Sequence, residues 1–218
     1  MTGFTASPRL VKGGLVLIDP DTAAVQRVIS LQYNPDSLTR SLQVKATTAD
    51  SPDRSEVLRL KGPPVETIRL DAEIDATDQL EFPDQNQDAV QLGVFPQLAA
   101  LETIVYPSSA QLIANNAIAT AGTLEIVPME TPLCLFVWSK NRVLPVRLTD
   151  FAITEEAFDP TLNPIRAKVS LGMRVLTVDD LGFNHKGGSL FMNYLQTKER
   201  FAKKSTGLLN TLGIGGIP

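Results

Sequence analysis

The side chains that most often carry chemistry are scarce in this 218-residue chain, which has one histidine, His185, and one cysteine, Cys134. A single imidazole excludes His-x-x-x-His metal chemistry and any centre that needs two histidines. A single thiol excludes an intramolecular disulfide and a cysteine-rich zinc site. His185 lies in the run Phe183 to Gly188, ahead of a helical pattern. To act as a general base it needs a nucleophile or an orienting carboxylate, and Asp179 or Asp180 are the nearest candidates. The competing expectation is an exposed loop histidine. Cys134 sits inside an apolar run, which predicts a buried, inert thiol. Glu155 and Glu156 are neighbours on a strand pattern, so they point to opposite faces and form no dyad. Asp19, Asp21, Asp84 and Asp88 lack the spacing and trailing glutamate of a calcium loop. Gly187-Gly188 and Gly215-Gly216 lack the Gly-Lys-Ser/Thr of a phosphate loop. The residues therefore assign no catalytic centre, cofactor or metal.

Composition narrows the class further. The net charge is -4, which argues against a nucleic-acid binder held by phosphate contacts. No apolar run approaches the roughly 18 residues of a membrane span. Met1 to Pro8 is small and polar, unlike a secretory leader. The expectation is a soluble, cytoplasmically made protein with no direct membrane insertion. A chain of this length buries roughly 70% of its surface on folding, enough for one core without metals or disulfides.

The elements that must carry any function read mainly as strands. Leu15 to Ile18 is a short apolar run closed by the turn residues Asp19-Pro20-Asp21, and Val25 to Tyr33 follows until Asn34-Pro35 stops it. The two read as a hairpin, after an N-terminal arm at 1–10. Leu38 to Lys45 alternates, Ala46 to Ser55 reads as a polar loop, and Leu58 to Lys61 resumes the pattern. From Val65 to Asp75 the alternation is nearly complete. Ile68, Leu70, Ala72 and Ile74 share a core face, and Arg69, Asp71, Glu73 and Asp75 form a water-facing row. Glu81 to Gln91 reads as loop. Pro96, Leu98, Leu101 and Val105 predict one helix, stopped by Pro107. Ala110 to Ala121 fits either a weak helix or an ordered loop.

Leu133 to Trp138 is apolar at every position, so the strand needs cover on both faces. One cover is the core; the other is a helix or a neighbouring subunit. Val143 to Glu156 forms the next strand, and its parity predicts a bulge near Thr149-Asp150. After a turn at Asp159 to Pro164, Ile165 to Val175 is the cleanest half-buried strand. Ser189 is the expected N-cap of a helix over about 189–204 whose apolar face is Leu190, Phe191, Tyr194, Leu195 and Phe201. That face is expected to pack on its own domain or on a partner. An apolar, Gly-rich tail follows.

Three segments resemble known ones. Leu31-Gln32-Tyr33-Asn34-Pro35-Asp36-Ser37-Leu38 is similar to a signature of contractile injection system tube and baseplate-hub proteins, the phage-tail-like family. Pro132 to Trp138 with Arg142 to Val146 resembles that family's strand pair. Glu155 to Ala167, with Pro164, Arg166 and Ala167, resembles its turn into the final strand. The likeness covers roughly residues 11–178.

The resemblance implies a tube-like β domain at 11–180, made of two packed antiparallel sheets in a barrel-like sandwich with one flanking helix. Residues 181–218 then form a C-terminal helical extension, too short for a LysM domain. It implies a non-enzymatic structural protein without cofactors, assembled in the cytoplasm as part of an injection particle. Six copies would form a ring whose partners are the spike, the inner-tube protein and baseplate proteins. The implied role is a tube initiator or hub adaptor; the alternatives are an inner-tube protein with an extension and a small-ligand or carbohydrate-binding β-barrel. In such a ring Leu133, Leu135, Val137 and Trp138 serve the core or the seam. The extension clamps a baseplate neighbour, and the row from Arg69 to Asp75 lines the lumen.

Overall fold

A computed structural model describes residues 11–46, 59–120, 131–205, 207 and 209–217. The expected N-terminal arm, and the polar loop from position 47 on, lie outside the described residues. The protein is mainly β, as its alternating runs require. The strands are β1 (Gly14–Ile18), β2 (Val25–Ser30), β3 (Thr39–Gln43), β4 (Val65–Asp75), β5 (Leu133–Ser139), β6 (Arg142–Phe158) and β7 (Pro164–Val175). All described pairings are antiparallel, in the order β2-β1-β5-β6-β7-β4-β3.

Two expectations need correction here. The strands form one continuous hydrogen-bonded sheet rather than two separate ones, and the sheet is not closed. The reason lies in β6, which is 17 residues long. Its first part pairs with β5 (Cys134↔Val146) and the rest pairs with β7 down to Phe158↔Pro164. One strand thus serves both layers, as in sandwiches whose corner strands change sheets at a bulge. The bulge sits where the parity placed it, between Leu148 and Asp150. Leu15 and Phe136 from one half share a single core with Ile68, Val169 and Met173 from the other.

The second correction concerns helices. Between β4 and β5 stand α1 (Thr77–Leu80), α2 (Gln87–Leu92), α3 (Phe95–Glu102) and α4 (Ser109–Thr120), where one helix and a loop were expected. Helix α3 carries Pro96 in its first turn and buries Leu98 and Leu101 in the core. It ends before Val105, which is exposed. Helix α4 settles the ambiguous stretch as helix over its described residues and buries none of them.

After β7 stand α5 (Val178–Leu181) and α6 (Lys186–Ala202), the second within the extension expected at 181–218. Helix α6 starts earlier than expected. Its N-cap is His185, whose Nδ1 accepts from the Gly187 amide at 3.0 Å, so Ser189 lies inside the helix. Early initiation works because Gly187 and Gly188 have no side chains. A Cβ on Gly188 would sit 2.0 Å from the Gly182 carbonyl oxygen, and one on Gly187 2.4 Å from Leu181 Cδ1.

Candidate assembly surface

The double-sided strand β5 is covered by its own chain. Phe136 packs on the main core and stacks on Trp138, ring centroids 5.8 Å apart. On the opposite face, Leu133 and Leu135 join Ile18 in a second cluster that Val137, Leu181 and Leu190 complete. The second cover is thus supplied by the extension. Phe191 and Tyr194 are buried as well, and Leu195 packs half-buried against the core. Of the expected partner-facing residues, Phe201 remains exposed at 44%. A clamp on a neighbour has Phe201 and the tail to work with, since Leu133, Leu135, Phe191 and Tyr194 present no surface.

Electrostatics dock the extension on the opposite layer. Glu66 on β4 is a buried acid with a side chain 4% exposed. Its carboxylate accepts from Arg40 Nε at 2.7 Å and from Lys198 Nζ at 3.1 Å, and Arg40 also donates to the Tyr194 hydroxyl at 2.9 Å. Lys198 Nζ lies 4.1 Å from the centre of the Tyr194 ring. Lys45 pairs with Asp179 at 3.0 Å and Arg174 with Asp180 at 2.6 Å. Asp180 also closes a capping box with Thr177. Burial opposes its charge, but the Thr177 amide and Arg174 outweigh that and hold its pKa below the ordinary carboxylate value. Both candidate orienting acids for His185 are therefore committed to cations elsewhere. The Cys134 thiol is buried, which pushes its pKa up to about 12. Among the described residues no cluster of three or more metal-ligating side chains occurs, and no helix is long and apolar enough to cross a membrane.

The outer face of β4, β7 and distal β6 is polar and charge-balanced. Arg69 faces Asp150 at 3.8 Å, and Lys168 faces Glu156 at 3.3 Å. Asp71 accepts from the Ser170 hydroxyl. Gly172 leaves room for Asp150 at the bulge, because a Cβ there would lie 2.6 Å from Asp150 Oδ2. Arg69, Asp71 and Glu73 are water-facing. Asp75 departs from the row: its side chain is only 17% exposed and pairs with Arg166 Nε at 2.7 Å. Burial works against its charge, yet hydrogen bonds from Thr77 and Arg166 prevail and lower its pKa.

The turn segments have structural tasks. Asn34 Oδ1 accepts from the Gly13 amide at 2.8 Å, and its Nδ2 donates to the Val11 carbonyl at 2.9 Å, fastening the chain ahead of β1. Tyr33 is exposed, Pro35 is half-buried, and Pro164 and Ala167 are buried.

The sheet ends in two open strands. Every β2 residue except Ile29 is exposed, and β3 is exposed except at Arg40. Open strand edges invite pairing with another chain. Sequence reasoning missed Glu66, although a signal was present: it falls on the apolar parity of β4, beside Ile68 and Leu70.

A family model described as contractile injection system tube protein matches residues 17–180. No match to a curated protein was found.

Proposed function

The chain belongs to the contractile injection system tube protein family, and from that premise we propose that it forms a six-membered ring at the baseplate hub, joining the spike to the inner tube and templating tube growth. As a member of that family it is a structural component of the particle's tube. One observation carries the finer reading: a seven-stranded sheet that ends in two exposed strands, β2 and β3. A ring of copies covers both edges through one repeated heterologous contact that closes on itself. The outer face with Arg69, Asp71 and Glu73 then meets water in the lumen, and its balanced charge favours neither sign of cargo. The partners are further copies, the spike, the inner-tube protein and baseplate proteins, assembled in the cytoplasm.

The test is deletion of the gene followed by negative-stain electron microscopy. Loss of assembled sheath and tube supports the template role. Full-length, contracting particles overturn it and leave a small-ligand or carbohydrate-binding β module to be examined. A second reading, an inner-tube protein carrying an extension, is favoured by exposed acids at one end of β4 (Asp78, Glu81, Asp84 and Asp88) and exposed cations on the C-terminal segment (Arg200, Lys203 and Lys204).

A further inference from the structure

The two ends of β4 carry opposite chemistry. Between Arg69 and Lys140 the sequence holds ten acidic residues and no basic one. Asp78, Glu81, Asp84 and Asp88 are exposed on the α1–α2 segment, which follows directly from the Asp75 end of β4. Among the described residues none of the four takes part in an ion pair. Among the described residues Asp78 accepts from the Tyr33 hydroxyl, at 3.4 Å. The same segment exposes Phe82 and Leu92.

The C-terminal end is the complement. From Arg200 onward the sequence holds three basic residues and no acidic one. Arg200, Lys203 and Lys204 are exposed and have no ion-pair partner among the described residues; Glu199 is the acid beside them. Leu212 and Ile217 behind them are exposed. This end is anchored through Lys198 on Glu66, at the opposite end of β4. Nine residue steps along the strand separate Glu66 from Asp75, about 30 Å at ~3.3 Å per residue.

We infer that the basic, apolar C-terminal end of one copy docks on the acidic α1–α2 end of a second copy. This rests on the second reading above, an inner-tube protein carrying an extension, in which rings of this chain stack on one another, and names the contact between their ends. A second copy fits because each copy carries both halves. Like ends repel, so the charges also set a head-to-tail orientation. The contact is heterologous, and repeated it seats one ring on the next.

The test uses two full-length proteins, one with Leu212→Cys and one with Phe82→Cys, mixed under mild oxidation. The native thiol of Cys134 is buried and stays silent. A mixed disulfide in excess of either homodimer is expected. The double change Lys203→Glu and Lys204→Glu should lower its yield about tenfold, and Asp84→Lys with Asp88→Lys in the other protein should restore it. In 1 M salt, where the Debye length is about 3 Å, the excess seen without charge reversal should disappear. Mixed yield equal to the homodimers, or indifferent to charge reversal, overturns the inference. Rings are scored on the same samples by electron microscopy. Their absence in the Leu212→Cys and Phe82→Cys pair without charge reversal, when that pair still cross-links, counts against the ring reading alone. Their loss on charge reversal puts the tail in the ring seam and overturns the end-to-end contact.

Discussion

The side-chain amide of Gln32 pairs with the main chain of Asp75 as a neighbouring strand would. Gln32 Nε2 donates to the Asp75 carbonyl at 2.6 Å, and the Asp75 amide donates to Oε1 at 2.8 Å. The Asp75 carboxylate meanwhile holds Arg166. The segment around Tyr33-Asn34-Pro35 and the segment around Pro164-Ile165-Arg166 thus meet on one residue, far from both in sequence. Gln32→Ala leaves two part-buried main-chain groups unpaired and should cost about 1–3 kcal/mol. Gln32→Glu keeps an acceptor but loses the donor, and should also destabilise. Urea denaturation checks both; an unchanged midpoint would show that water replaces the amide without loss.

Glu66 is the hinge between the extension and the sheet. Replacing it by Ala takes the shared buried acceptor from Arg40 and Lys198, which are 26% and 37% exposed, and should cost about 1–3 kcal/mol. Lys198→Ala removes a partner 37% exposed and should cost under about 1 kcal/mol. Denaturant titrations of both variants measure the difference. Equal losses would mean that the cost lies in helix packing rather than in the buried charge.

Strict alternation made β4 and β7 readable to the residue or nearly so, because a half-buried strand has only one way to place its apolar side chains. The bulge near Asp150 was readable for the same reason: parity had to be restored. Helices α1 and α2 were not readable. They are four and six residues long, and Asp and Gln supply five of their ten residues, so tertiary contacts decide their conformation. The Glu66 cluster draws on Arg40, Tyr194 and Lys198, which no spacing rule brings together. Gln32 was visible as part of a motif, but its task depends on the curvature that brings Asp75 within reach.

Gly188 reverses an ordinary rule. Ala in place of Gly inside an exposed helix usually stabilises by about 1 kcal/mol. Here the first turn of α6 lies against the turn after α5, and the added carbon would meet the Gly182 carbonyl at 2.0 Å. Gly188→Ala should therefore destabilise, lifting α6 from β5 and opening the cluster of Leu133, Leu135 and Leu190. Thermal unfolding gives the sign directly. A raised midpoint would show that the helix start can shift without strain.

Asp159 organises the β6–β7 turn, and its charge makes that turn sensitive to acid. Its carboxylate accepts from the Asn163 side chain at 2.9 Å, the Asn163 amide at 2.8 Å and the Thr161 amide at 2.7 Å. These bonds, the Asn163 side chain foremost, lower its pKa to about 2 from 3.8. The turn needs such a centre, because Ala157 (φ 54) and Leu162 (φ 68) adopt left-handed backbone without being glycine. A depressed folded pKa stabilises where the carboxylate is ionised in both states. The contribution is complete above about pH 4 and fades as pH falls through the folded value. Asp159→Ala should then lie below wild type by a constant margin near neutrality, and the margin should shrink as the pH drops from about 4 to 2. Urea midpoints across that range, for both proteins, measure it. A margin that does not change with pH would assign the effect to turn geometry and remove the charge from the account.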